Sequence, residues 1–290
     1  MTEVSADMST GLYPSLFGHE LAWERRGPAG APTVVLLHGL ATDRQVMLES
    51  FEPVLAEAQP QLQRLYLDLP GHGASKANLA AVSSDELVET LAAFLRAVAP
   101  GPVALVGYAF GGYLTQGLVR ELGPKDVRGA FLVCPTVEAD FGRRTVPPRR
   151  VLRSEDALVF PDAGVDAGVD GRLRAAFEEV AVLQTQSTLD RFAAIIHPAN
   201  IAADQEVMAA TRARYVMSRP YLQSLAGFDG AVSVLCGRDD HWVGFEDAVR
   251  LVRAFRRGEL HVLADCGHLL PIEATAYMQR ALADWLNRLV

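Results

Sequence analysis

Widely separated residues of this chain have the types and settings needed for acyl-transfer chemistry, and one position among them lacks its oxygen. Residues 107–111 read Gly107-Tyr108-Ala109-Phe110-Gly111. This is a G-x-S-x-G frame with alanine where the serine would stand. In such a frame the central residue sits on a tight turn from a strand into a helix, and its side chain is held out to attack a carbonyl carbon. The flanks fit this reading. The apolar run Val103-Ala104-Leu105-Val106 leads in, and a helical run opening with Gly111-Gly112 leads out. Further along, Gly267-His268 offers an imidazole that can act as a general base. Gly237-Arg238-Asp239-Asp240 offers a carboxylate that can orient an imidazole and stabilise its cation.

The elements that must position these residues are legible as alternating short apolar runs and helical patterns, which imply a parallel sheet with crossover helices. Strands are expected at Thr33–Leu37, Leu65–Leu67, Val103–Gly107, Ala130–Cys134, Val232–Leu235 and Leu260–Leu263. Helices are expected near Gln45–Ala58, Ser84–Val98, Phe110–Leu122, Phe245–Arg256 and Glu273–Leu289. Leu16–Trp23 reads as an edge hairpin turning at Gly18-His19. The alternation breaks between about Pro135 and Asp229, where helical patterns follow one another without a core strand. The expected division is a core of residues 1–135 and 230–290 with a helical lid inserted at 136–229. Inside the insertion, Asp162-Ala163-Gly164-Val165 is followed by Asp166-Ala167-Gly168-Val169 and Asp170-Gly171. This repeat reads as a mobile loop. Its acids stand four apart rather than two, which fits a calcium loop poorly.

Each candidate falls on a loop that follows a strand. His38-Gly39 follows the first core strand, the frame at Ala109 follows the third, and the Asp240 and His268 loops follow the last two. Asp68-Leu69-Pro70-Gly71-His72-Gly73 follows the strand at Leu65–Leu67. In this order and on these elements, the motifs resemble the α/β-hydrolase superfamily, in its serine-hydrolase branch with a helical lid. The resemblance covers nearly the whole chain and is weakest in the lid. It implies an α/β fold with a mostly parallel, doubly wound sheet. It implies hydrolysis of an ester, thioester, lactone or similar carbonyl compound in a lidded apolar pocket, with no cofactor and no metal.

By the same resemblance, Ala109 stands at the nucleophile position, His268 is the general base and Asp240 is its acid partner. The backbone N–H groups of Leu40 and Phe110 would form the oxyanion hole, Phe110 at a helix N-terminus where the dipole favours negative charge. Asp239 is adjacent to Asp240, and Glu138 and Asp140 follow the preceding core strand, where some relatives take their acid. His38, Tyr108, Phe141, Arg149 and Trp242 are candidate substrate contacts, although His38 and His72 also read as structural residues bonding loop backbone. His241 reads as packing or rim, and Cys266 lies off the frame. Arg143, Arg144, Arg149, Arg150 and Arg153 cluster at the start of the lid. They either grip an anionic substrate or form a solvated face with lid–core salt bridges. The lid's aromatic and sulfur residues, including Phe160, Phe177, Phe192, Met208, Tyr215, Met217 and Tyr221, would line the pocket or the lid's own core.

The alanine itself has two readings. A serine was replaced to inactivate the protein, or the chain lost hydrolysis by descent and serves as a ligand binder or as a proton-transfer lyase, isomerase or cyclase using His268. Composition narrows the remaining classes. Lysine plus arginine number 27 against 35 acids, for a net charge of −8. No large basic surface for nucleic acid is implied. No apolar run approaches the roughly 20 residues of a membrane span. The N-terminus has no basic segment leading an apolar one, and Cys134, Cys236 and Cys266 lack metal-ligand spacing, which together favour a reduced, cytoplasmic setting. The expected partner is a small-molecule acyl substrate, with the chain a monomer or homodimer.

Overall fold

A computed structural model describes residues 8–161, 167–219, 225 and 227–289. Its centre is an eight-stranded sheet. The strands are β1 (Ser9–Pro14), β2 (Glu20–Arg26), β3 (Thr33–Leu37), β4 (Gln63–Leu67), β5 (Val103–Tyr108), β6 (Val127–Val133), β9 (Ala231–Gly237) and β10 (Gly258–Leu263). Two short strands, β7 (Arg153–Ser154) and β8 (Leu183–Gln184), pair only with each other. The large sheet runs β1-β2-β4-β3-β5-β6-β9-β10. The β1–β2 and β2–β4 pairs are antiparallel, and every other pair in it is parallel. The edge hairpin is therefore longer than the sequence suggests, because β1 begins at Ser9 rather than Leu16.

The central strands are apolar on both faces, as parallel strands covered by helices must be. In β3, Val35 and Leu37 enter one core, while Val34 and Leu36 enter the other. Val103 and Leu105 of β5 alternate with Ala104 and Val106 in the same way. Each such buried aliphatic side chain contributes about 1.5–3 kcal/mol. The first face is covered by α2 (Ser84–Val98) and α3 (Phe110–Leu122), through Leu87, Leu91, Tyr113 and Leu118. The second is covered by α1 (Arg44–Ala58) and a C-terminal helix, α10 (Thr275–Asn287), through Phe51, Leu55, Leu282 and Trp285. Helix α2 starts where its sequence says it must: Ser83 and Glu86 form a reciprocal capping box.

Between β6 and β9 no described residue joins the large sheet. The segment holds α4 (Ala167–Val180), α5 (Gln186–Arg191), a π-helical turn (Phe192–Ile196), α6 (His197–Ala202) and α7 (Gln205–Ala213). The expected loop at the Asp-Ala-Gly-Val repeat is only partly testable, because residues 162–166 and Tyr221 lie outside the described residues. From Ala167 onward the repeat is helix, not loop. The strong helix formers Arg172 to Glu179 supply the nucleus, and extending a helix costs far less than starting one. Two elements after β9, α8 (Glu246–Val252) and α9 (Leu270–Glu273), complete the chain. The long C-terminal helix expected from Glu273 is split at Ala274, whose φ of −134° and ψ of 37° are not helical. No helix among the described residues is long and apolar enough to cross a membrane.

Candidate active site

The chain winds from β3 to β4 on one side and then crosses back to β5 on the other, so the order reverses at the C-terminal ends of β3 and β5. A crevice forms at such a point, and the candidate residues gather there. Ala109 sits between β5 and α3 with φ 50° and ψ −111°. An L-residue in the positive-φ region costs on the order of 1–3 kcal/mol, so the surroundings must hold it. They do so on both sides. The Ala109 N–H donates to the Val133 carbonyl at 2.9 Å, and its own carbonyl accepts from Tyr113 and Thr136 N–H groups, each at 3.2 Å. The flanking glycines are obligatory. A Cβ on Gly111 would lie 2.2 Å from the Leu37 carbonyl oxygen, and one on Gly107 would lie 2.7 Å from the Gly111 carbonyl oxygen.

A cavity of about 310 Å³ opens beside this turn. Ala109, Leu40, Phe110 and His268 all line it. Phe110 is the first residue of α3, where backbone N–H groups have no partner inside the helix. Leu40 lies on the loop after β3, which is held from beneath by two histidines. His38 Nε2 accepts from the Leu69 N–H at 2.9 Å, so its Nδ1 carries the proton and donates to the Gly39 carbonyl at 2.7 Å. His72 Nε2 accepts from the Ala41 N–H at 3.0 Å, and Nδ1 donates to the Pro70 carbonyl. Burial pushes His38 down to about 4 and His72 down to about 3, the latter helped by repulsion from His38. Both rings are neutral braces near neutrality.

His268 Nδ1 lies 2.8 Å from Asp240 Oδ2. Asp240 is fully buried, and its Oδ1 accepts the Trp242 and Val243 N–H groups at 2.9 and 3.0 Å. Burial alone would raise its carboxyl, but the His268 charge and hydrogen bond, with the two backbone donors, outweigh it and leave the group below its ordinary value. The neighbouring Asp239 is otherwise engaged, with Oδ1 2.7 Å from Arg150 Nε. The ambiguity between the two aspartates is thereby resolved: Asp240 meets the imidazole. Glu138 and Asp140 do not bond it; Glu138 pairs with Arg143, and Asp140 caps the turn at Gly142. The His268 ring lies between Tyr108 and Trp242, at centroid distances of 5.5 and 5.6 Å. Tyr108 also donates to the His268 carbonyl at 3.1 Å. Glu273 fastens the histidine loop to the insertion by accepting the Gly267, Val182 and Leu183 N–H groups.

Of the expected substrate contacts, Tyr108, Phe141 and Trp242 line the cavity. His38 does not; it is fully buried under the loop that carries Leu40. Arg149 does not either. It donates to the Glu178 and Glu179 carbonyls in the last turn of α4, a helix C-terminus where a cation is favoured. His241 does not line the cavity, and its Nε2 meets the Glu179 carbonyl at 3.0 Å. Cys266 is buried, and its thiol is pushed far up by that burial and by Glu273, which makes it inert as a nucleophile. Of the arginine cluster, Arg144 lines the cavity; Arg212, Thr136, Val180 and Ile196 line it without a signal in the sequence. The π-helical turn brings Phe192 and Ile196 to the same wall. Among the described residues, Cys134, Asp240 and His268 hold potential metal donors within 4.8 Å of one another. Asp240 and His268 already satisfy each other, and burial keeps the Cys134 thiol protonated. The set therefore suits a metal poorly.

Residues 34–284 match the alpha/beta hydrolase family. The chain belongs to that family. Among its relatives is the 2-succinyl-6-hydroxy-2,4-cyclohexadiene-1-carboxylate synthase of Klebsiella pneumoniae (strain 342), 27% identical over 83% of this chain and 88% of that protein. Another is the dihydrolipoyllysine-residue acetyltransferase component of the acetoin cleaving system of Pseudomonas putida, 25% identical over 99% of this chain and 73% of that protein. The namesake component from Cupriavidus necator is 30% identical, over 51% of this chain and only 40% of its own length. Among solved structures, an alpha/beta superfamily hydrolase from Oenococcus oeni PSU-1 superimposes with a TM-score of 0.83 at 24% identity, covering 96% of this chain and 99% of that one. A putative aryl esterase from Burkholderia cenocepacia reaches 0.76 at 21% identity, over 97% and 99% of the two chains. At these identities the structural likeness establishes the fold.

Proposed function

We propose that the cavity is the acyl site of a serine-type hydrolase, acting on an ester, thioester, lactone or related carbonyl compound, and that Ala109 replaces its nucleophilic serine. One observation carries this reading. Ala109 is held in a strained, glycine-enforced turn on the wall of the same cavity that His268 lines with its Nδ1 bound to Asp240. Nothing about an alanine side chain repays that strain, whereas aiming a hydroxyl does. With serine present, Oγ attacks the carbonyl carbon while His268 Nε2 takes its proton. The Leu40 and Phe110 N–H groups hold the oxyanion as it forms. His268 then returns the proton to the leaving group, and water releases the acyl group by the reverse sequence. Asp240 keeps His268 in the tautomer that leaves Nε2 free to accept. The insertion would act as the lid, since side chains of α4, the π-helical turn and α7 line the same cavity as Ala109.

With alanine in place no acyl bond forms, and the chain keeps binding and carbonyl polarisation. Ala109→Ser tests the reading directly: turnover on a panel of activated esters and thioesters supports it, and a folded variant inert on the whole panel refutes it. A serine codon at position 109 in the gene would identify Ala109 as an introduced inactivation.

A second reading has its own support. The His268–Asp240 pair is complete without a nucleophile, and a relative at 27% identity is named as a synthase. On that reading the chain as it stands moves protons in an elimination, isomerisation or cyclisation. Activity of the Ala109 chain on such a substrate, abolished by His268→Ala, would establish it.

A further inference from the structure

The cavity wall next to the elbow carries positive charge that the proposed reaction does not use. Arg144 and Arg212 both line it, together with Thr136, Phe141 and Tyr215. Arg144 is held in place: Nε donates to the Glu138 carbonyl at 2.9 Å and Nη1 to the Trp242 carbonyl at 3.0 Å. Its guanidinium carbon stands 4.1 Å from the Phe141 ring centroid and 5.6 Å from that of Tyr215. Its Nη2 is shielded from solvent and has no well-formed hydrogen bond among the described residues, the guanidinium interacting there with the Tyr215 hydroxyl. A guanidinium that meets only neutral groups keeps its capacity for an anionic acceptor arriving from outside. The nearby arginines differ. Arg143, Arg150 and Arg153 pair with Glu138, Asp239 and Glu155, while neither Arg144 nor Arg212 is in an ion pair among the described residues.

The wall that carries the charge adjoins the reacting position. Thr136 donates its N–H to the Ala109 carbonyl at 3.2 Å, and its Oγ1 lies 3.0 Å from the Tyr215 hydroxyl. The Phe110 and Tyr215 rings stand 4.8 Å apart. Arg144 and Arg212 both favour the ionised form of that Tyr215 hydroxyl, although burial is the larger influence and keeps it protonated. An anion at the same spot would feel the same two cations. Glu179 is the acid on the lining, so the wall keeps an excess of positive charge.

We propose that the substrate of this cavity carries a carboxylate close to its reacting carbonyl, gripped by Arg144 and attracted by Arg212. The proposal rests on the reading of the cavity as an acyl site and names its substrate class. The planar guanidinium fork suits a carboxylate in both geometry and charge. Fixing the acid at this wall would present the neighbouring carbonyl to the Leu40 and Phe110 donors.

The test uses the Ala109 chain, on which no acyl turnover obscures binding. Calorimetric titration with monomethyl and dimethyl esters of malonate, succinate and glutarate compares an acid with its neutral twin. At least one acid should bind tenfold or more tightly than its diester. Arg144→Gln should remove that preference, read as the ratio of acid to diester affinity, Arg144→Lys should retain part of it, and Arg212→Gln should reduce it a few-fold. The preference should shrink as salt rises from 20 to 500 mM, roughly from a Debye length above 20 Å to one below 5 Å. If Arg144→Gln melts early, Arg212→Gln and the salt series still decide the matter. Equal affinity for acids and diesters, failure of every acid to bind, or a preference that survives Arg144→Gln with Arg212→Gln would overturn the proposal. Its failure is separable from that of the hydrolase reading. Ala109→Ser that cleaves neutral esters while acids gain nothing refutes only the carboxylate. Arg144-dependent acid binding with no cleavage by Ala109→Ser refutes only the hydrolysis.

Discussion

The two walls of the cavity are built on different terms. The sheet side is over-determined. Ala109, Leu40, Asp240 and His268 each sit on a loop issuing from a strand end, and backbone hydrogen bonds or buried rings fix each loop. Glycines there have no room for a Cβ. The insertion side is held more loosely. Its residues come from short helices and from an extended stretch, 144–152, most of whose side chains are exposed. Its arginines meet carbonyls as often as carboxylates. On the proposed reading, chemistry would be carried by a frame that tolerates almost no change, and recognition by a wall that can be rebuilt one side chain at a time.

The sharpest way to break that contrast is to disable the rigid side without disturbing its shape. In an Ala109→Ser background, Asp240→Asn should lower kcat about 10⁴-fold, with KM nearly unchanged, because the imidazole is left in the wrong tautomer. Steady-state kinetics on an activated ester would show a loss below tenfold if Asp240 were only a structural residue. Next in size is the acid sensitivity of the loop beneath Leu40. In the unfolded chain both His38 and His72 titrate near 6.5, and in the folded chain near 4 and 3. The unfolded state therefore binds more protons in between, so stability is full above about 6.5 and falls as pH drops toward 4. His38 alone should account for on the order of 3 kcal/mol of that loss. Denaturant titration at pH 7, 5.5 and 4.5 should show the decline, and His38→Asn should remove about half of it, whatever its cost at pH 7, because His72 still contributes.

Smaller effects test the details. Ala109→Gly removes the Cβ from a positive-φ turn and should stabilise the chain by about 1 kcal/mol, seen as a melting temperature about 2 °C higher. A drop would mean that the turn is not strained. The smallest effect belongs to the loose side. Arg149→Ala should cost under about 1 kcal/mol of stability through the lost carbonyl contacts of α4, and should leave ligand affinity untouched for acids and neutral compounds alike. A selective loss of acid binding would return Arg149 to the site.

The same asymmetry explains what could be read from the chain beforehand. The sheet side announces itself locally. A glycine two residues before and two after position 109 is required by backbone clash at the turn, and Gly237 is required by the carbonyls of Cys266 and Gly267. Such constraints leave fixed spacings, so Asp240, His268 and the Leu40 loop were legible. The insertion has no such signature. Within the arginine cluster, spacing could not distinguish Arg144, which faces the cavity, from Arg149, which caps a helix, because the outcome depends on where α4 ends. Arg212 lies far from the cluster in sequence and joins Arg144 at the cavity only through the fold. His38 was open to two readings, contact or brace, because a buried brace and a ligand-facing histidine look alike in sequence; its bonds to Gly39 and Leu69 make it the brace. The helix over the later part of the Asp-Ala-Gly-Val repeat, from Ala167, was missed because its glycines and acids read as a turn, while the helix nucleus lies downstream.

The central claim is that position 109 is a nucleophile position with everything but its oxygen. Intact-mass spectrometry of Ala109→Ser, mixed with one equivalent of p-nitrophenyl acetate and quenched in acid, measures it most directly. The account predicts an acetyl adduct on residue 109 with a matching burst of nitrophenol, both lost when His268→Ala is added. A folded Ala109→Ser protein that takes up no acetyl group and shows no burst would contradict it.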